Sequence, residues 1–148
     1  AVTARRATLF AALTYDGRDA FTPAHPLDAA VGAAFARHMR RDKGFGIAAG
    51  PEAGAVLSAA ARSAGYEVSE RSSAWVLGAA EADLGRLLLA GMADAVAETE
   101  AVARADLDAW AAARAAACGE PDARIVCGHV DLLAHPPVRA ASASSRRP

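Results

Sequence analysis

The residues best suited to chemistry lie in two short polar segments. The first, Tyr15-Asp16-Gly17-Arg18-Asp19, follows the continuous apolar run Ala7–Thr14. A carboxylate such as Asp16 can orient a hydroxyl or amine, or act as a base. Tyr15 and Arg18 put a hydroxyl and a fixed positive charge beside it. Asp-Gly is also ordinary turn chemistry, so the same residues can simply reverse the chain. The second segment is Asp42-Lys43-Gly44-Phe45-Gly46. It offers both charges, an aromatic ring and two glycines that permit close backbone approach. Such parts suit a lid over a substrate. They equally suit a helix C-cap, with Lys43 in solvent and Phe45 packed as the capping hydrophobe.

Other spacings point less far. Gly44-x-Gly46-x-x-x-Gly50 imitates a dinucleotide fingerprint, but a helix and not a strand precedes it. His129-x-Asp131-x-x-x-His135 could be drawn as a metal site. On a strand His129 and Asp131 share a face, but Pro136 makes His135 a turn residue, and no Cys or His pair elsewhere completes the set. Polar residues on a strand surface are the expectation there, with no metal. Trp75 and Trp110 read as core anchors, since no basic residues interleave with them as in a base-stacking platform. No Gly-x-Ser-x-Gly occurs and neither Cys118 nor Cys127 has an evident base partner, which disfavours a nucleophilic hydrolase.

These segments need elements to hold them. Ala7–Thr14 is apolar without alternation, as in a strand covered on both faces, and Tyr15–Asp19 is expected to turn at its carboxyl end. Pro26 can open a helix whose Leu27, Val31, Phe35 and Met39 share a face and which ends near Lys43. A second helix spans Pro51 to about Ala64, with Val56 and Leu57 inward and Gly65 as its stop. Tyr66–Glu70 alternates as a strand, and Trp75-Val76-Leu77 extends it after an irregular step at Ser72-Ser73. Helical spacing returns from Ala80 to about Glu100, with Leu84, Leu88, Met92 and Val96 in one stripe, and again from Ala105 to Cys118. Arg124 to Leu133 is the last strand, and Pro136-Pro137 stops it. Residues 1–137 form one domain and 138–148 read as a disordered Ala/Ser/Arg-rich tail.

The order strand, helix, helix, strand, helix, helix, strand is α/β in kind. Three strands make a thin sheet. The first reads as central yet has few neighbours, so either a partner chain covers it or residues before Ala1 belong to the same domain.

Composition narrows the setting. The chain has 148 residues, 53% of them hydrophobic, and alanine supplies most of that share. Net charge is −1, from 16 basic and 17 acidic residues, which disfavours nucleic-acid binding. Lys43 is the only lysine. No apolar run approaches the roughly 20 residues of a membrane span, and Ala7–Thr14 lacks the cleavage site of a signal peptide. Two cysteines without an export signal suggest reduced thiols and a cytoplasmic protein.

A set of ordered pieces resembles the C-terminal half of a class I S-adenosylmethionine-dependent methyltransferase, of a bacterial methyltransferase-like group. They are Leu13-Thr14-Tyr15-Asp16-Gly17-Arg18, Arg41-Asp42-Lys43-Gly44-Phe45-Gly46, Gly50-Pro51, Ala64-Gly65-Tyr66, Ser73-Ala74-Trp75-Val76-Leu77-Gly78 and Val126-Cys127-Gly128-His129-Val130-Asp131-Leu132-Leu133. The resemblance runs from about Arg6 to Pro137. It implies a partial Rossmann-like sheet made of the last three of seven strands, the final one antiparallel, flanked by helices. It implies S-adenosylmethionine as cofactor, with the anchoring elements before this chain, and a small-molecule methyl acceptor.

Methyl transfer from a sulfonium needs an acceptor held in line more than it needs acid or base. Ligands of open α/β sheets sit outside the carboxyl ends of the strands. The expected acceptor-binding residues are therefore Tyr15, Asp16, Arg18, Asp42, Lys43, Phe45 and Gly46. The competing expectation is a non-catalytic α/β module, or truncated remnant, that binds a partner through its open sheet edge. In either case an uncovered first strand favours self-association.

Overall fold

The structure is a computed structural model and describes residues 5–137. The expected tail at 138–148 lies outside the described residues. The chain folds as mixed α/β, with an open antiparallel sheet of four strands and four helices. The strands are β1 (Leu9–Thr22), β2 (Glu67–Ser72), β3 (Trp75–Leu77) and β4 (Arg124–His135). The helices are α1 (Asp28–Met39), α2 (Ala53–Ser63), α3 (Ala82–Ala97) and α4 (Arg104–Ala117), with single 3₁₀ turns before α2 and α3.

Strand β4 is the centre of the sheet. It pairs antiparallel with β1 on one side and with β2 and β3 on the other. The irregular step expected near Ser72-Ser73 breaks that second edge into two strands, so the three-stranded expectation becomes four. Side chains alternate across β4. Ile125 joins the larger core, where Val31 and Ala34 of α1, Leu89, Met92 and Val96 of α3, and Leu107 and Trp110 of α4 meet. Leu132 and Ala134 face the other way, onto Ala61 and Leu57 of α2. Helices therefore cover both faces.

Three expectations about elements change. Tyr15–Asp19 is not a turn, because β1 runs through it to Thr22. Pairing with the long strand β4 satisfies backbone groups on both sides of the Asp-Gly pair, and this outweighs local turn preference. Helix α1 stops at Met39, short of Lys43. The buried stripe of α3 is Gly85, Leu89, Met92 and Val96, one residue over from the expected Leu84 and Leu88 at its first half. Ile125 and Cys118 press against Gly85, where an added Cβ would lie 3.1 and 3.3 Å from them, so this helix meets the sheet at its glycine. In α2, likewise, Val56 is exposed while Ser58 and Ala61 are buried.

One polar knot ties the larger core together. Trp110 is fully buried, and its indole N–H donates to Asp28 at 2.9 Å. The Arg114 side chain is 5% exposed and pairs with the same carboxylate at 2.6 Å. It also lies 5.0 Å from the Phe21 ring centroid. A buried charge is tolerable only when paired and hydrogen-bonded in this way. The knot fixes the start of α1 against α4 and the end of β1.

Candidate functional site

The site is built by two irregular steps in β1. Between the pairs Ala11–Leu132 and Thr14–Val130, two β1 residues face the single residue Asp131. Leu13 there adopts a φ of 54° and donates its N–H to Asp131 at 2.9 Å. The Ser73 hydroxyl donates to the same oxygen at 2.7 Å, so one carboxylate ties β1, β4 and the β2–β3 step together. These donors hold the Asp131 carboxyl below the ordinary range, the Ser73 hydroxyl first.

Between Tyr15–His129 and Asp19–Cys127 the distortion is larger. Asp16, Gly17 and Arg18 all lie opposite Gly128. Gly17 has a φ of 82°, which glycine adopts without penalty. The bulge folds back onto β4. A Cβ on Gly128 would lie 2.1 Å from an Asp16 carboxylate oxygen and 2.8 Å from the Arg18 carbonyl. Gly128 is thus the residue that admits the bulge. The Asp16 carboxylate accepts the Arg18 N–H at 3.0 Å and the guanidinium Nε at 2.8 Å, and Nη2 also pairs with it. The Arg18 guanidinium holds the Asp16 carboxyl below its usual value. A carboxylate so occupied is a weak base.

The bulge forms one wall of a cleft of about 540 Å³. Thr14, Tyr15, Asp16 and Arg18 line it from β1, Pro51, Glu52, Gly54 and Ala55 from the start of α2, and Glu70, Arg71 and Ser72 from β2, with Val130 of β4. Three of the expected site residues, Tyr15, Asp16 and Arg18, therefore meet in one place.

Asp42, Lys43, Phe45 and Gly46 do not line that cleft. They form a hairpin between α1 and α2. Asp42 bridges to Ile47, and its carboxylate accepts the N–H groups of Gly44 at 2.7 Å and Gly46 at 2.9 Å. Both glycines have positive φ. Phe45 is fully exposed, and Ile47 nearly so, which removes the packed-cap reading of Phe45. The hairpin is fastened to the cleft at its base, where Arg40 pairs with the cleft residue Glu52.

On the opposite face of β4 lies a polar cluster that sequence reasoning missed. The Tyr15 hydroxyl donates to one carboxylate oxygen of Asp19, and the other is buried with no hydrogen-bond partner among the described residues. The Cys127 sulfur is 3.9 Å from His129 Nε2. Trp75, Tyr15 and Phe35 surround this group, with the Trp75 and His129 ring centroids 5.3 Å apart. His129 is buried at 8% exposure, contrary to the surface position expected for it. Burial pushes the Tyr15 hydroxyl well up, with Asp19 adding to the effect. It pushes the Cys127 thiol up to about 12 and raises Asp19 as well. Burial of Cys127 thus disfavours its thiolate form. The signal available in sequence was the alternation Cys127-x-His129 flanking Gly128, which places both side chains on one strand face.

Among the described residues, no group of three or more His, Cys, Asp or Glu is placed to hold a metal ion. No helix among them is long and apolar enough to cross a membrane. No protein-family model matches the chain, and no curated protein matches it.

Proposed function

We propose that this chain is the substrate-side portion of a class I S-adenosylmethionine-dependent methyltransferase, and that the cleft beside Asp16 receives the methyl acceptor. The observation that carries this reading is the uncovered first strand. β1 has the apolar sequence of an interior strand, yet it pairs only with β4 among the described residues, and Phe10 and Leu13 stand 63% and 50% exposed. The free edge of β1 is where further strands of a larger sheet would pair. The antiparallel last strand and the helices on both faces agree with the partial Rossmann-like arrangement.

The described residues do not fit the cofactor itself. Gly44, Gly46 and Gly50 are closely spaced, but they stand in and after an outward hairpin that follows α1, not in a turn from strand to helix. This chain contributes acceptor positioning. Asp16, held ionised by Arg18, orients an acceptor hydroxyl or amine, and proximity supplies the advantage. Lys43 and Phe45, with Asp42 and Gly46 shaping their loop, would close over the acceptor from the hairpin fastened by Arg40 and Glu52.

Calorimetry tests the reading. The full gene product should bind S-adenosylmethionine, and this chain alone should bind it weakly or not at all. Sub-micromolar binding by this chain alone overturns the division of labour. No binding by the gene product overturns the enzyme and favours a non-catalytic module that uses the free β1 edge, the second reading that the exposure of Phe10 and Leu13 supports.

A further inference from the structure

The charges lining the cleft are not all matched. Asp16 is paired with Arg18, Glu52 with Arg40, and Glu70 with Arg62 at 3.3 Å. Each carboxylate of the lining already has its cation. Arg71 has no such partner: among the described residues it forms no ion pair, and its Nη1 donates to the Glu70 carbonyl at 3.0 Å. Its cross-strand neighbour is Asp131, but the carboxylate oxygen that Asp131 uses is taken by Ser73 and Leu13. The lining also carries the hydroxyls of Thr14 and Ser72, for which no protein partner is present among the described residues. Pro51, Ala55 and Val130 give it apolar surface.

An unmatched guanidinium, free hydroxyls and an apolar wall together suit a small molecule with an apolar body and an anionic end. Arginine's planar fork binds carboxylate and phosphate with two parallel hydrogen bonds. We propose that the cleft takes a methyl acceptor bearing a carboxylate or phosphate group, and that Arg71 pairs with that group. The methyl acceptor role rests on the methyltransferase reading; the anion site does not.

Saturation-transfer NMR on this chain, without cofactor, tests it with four probes of similar body: benzoate, phenyl phosphate, benzyl alcohol and benzylamine. Benzoate or phenyl phosphate should bind about two- to fivefold more tightly than benzyl alcohol, the gap expected of a partly exposed charge pair. Whichever of the two is tighter identifies the anionic group. Added salt should narrow the gap. Arg71→Ala should erase it, and Arg71→Lys should keep part of it, with the circular dichroism spectrum of both variants unchanged. Equal binding of the alcohol or the amine, undiminished anion binding by Arg71→Ala, or no binding of any probe overturns the proposal. Anion binding here together with no S-adenosylmethionine binding by the gene product would retain the site and dismiss the enzyme.

Discussion

Gly128 decides the shape of the site. The Asp16–Arg18 bulge needs the space a side chain at this position would fill, because a Cβ would overlap the Asp16 carboxylate at 2.1 Å. The obstacle cannot be relieved by a flexible side-chain tip alone, since the Arg18 carbonyl is also within 2.8 Å. Gly128→Ala should therefore lower stability by about 1–3 kcal/mol, the range for overpacking an ordered site. It should also displace Asp16 from the cleft wall. Urea midpoints give the first effect, and changed NMR chemical shifts at Asp16 and Arg18 give the second. A variant with wild-type stability and unchanged shifts at both residues would mean that the bulge does not rest on β4.

The Asp131 carboxylate acts at the scale of elements, joining β1 through the Leu13 N–H and the β2–β3 step through Ser73. Its carboxyl, like that of Asp16, is held low in the folded chain. Such a group binds its proton less readily folded than unfolded. It adds stability above about pH 4 and loses it as pH falls through the folded value. Asp19, raised by burial, works in the opposite sense and weakens the fold as pH rises through its folded value. Stability should therefore fall in acid, and Asp131→Asn should flatten that fall while reducing stability at neutral pH. Urea midpoints compared at about pH 3 and pH 6 measure both.

The elements themselves were largely legible. Helical spacing placed all four helices, apolar runs placed β1, β3 and β4, and alternation placed β2. What escaped was the course of β1 past Thr14. Tyr15–Asp19 carries strong turn chemistry, yet its pairing partner lies more than a hundred residues away, at Cys127 and His129. A long-range partner of that kind leaves no local trace. The same distance explains the site. Tyr15, Asp16 and Arg18 were visible as a cluster, whereas Glu70, Arg71 and Ser72 join them only through β4, which lies between the two strands. Asp42–Gly46 was visible as a loop, but nothing in its residues fixed the outward direction of Phe45.

At the scale of the whole molecule, the free edge of β1 is expected to set the behaviour of the chain in solution. Leu9–Ala11 is the regular part of that edge, with Phe10 exposed beside it. Beyond it, the steps at Leu13 and at Asp16–Arg18 interrupt the ladder, and bulges of this kind protect edges from continuous pairing. A net charge of −1 supplies little repulsion. The expected outcome is association limited to the short stretch before Leu13, which favours a dimer over an extended aggregate. Light scattering across a concentration series should show mass rising toward twice the monomer. Phe10→Lys puts a charge on the edge and removes the exposed ring, so it should return the chain to monomer without loss of thermal stability. Two results would refute this: a wild-type chain that stays monomeric at high concentration, or a Phe10→Lys variant that still dimerises. The first would show that the bulges alone blunt the edge, and the uncovered strand would then no longer argue for a larger sheet.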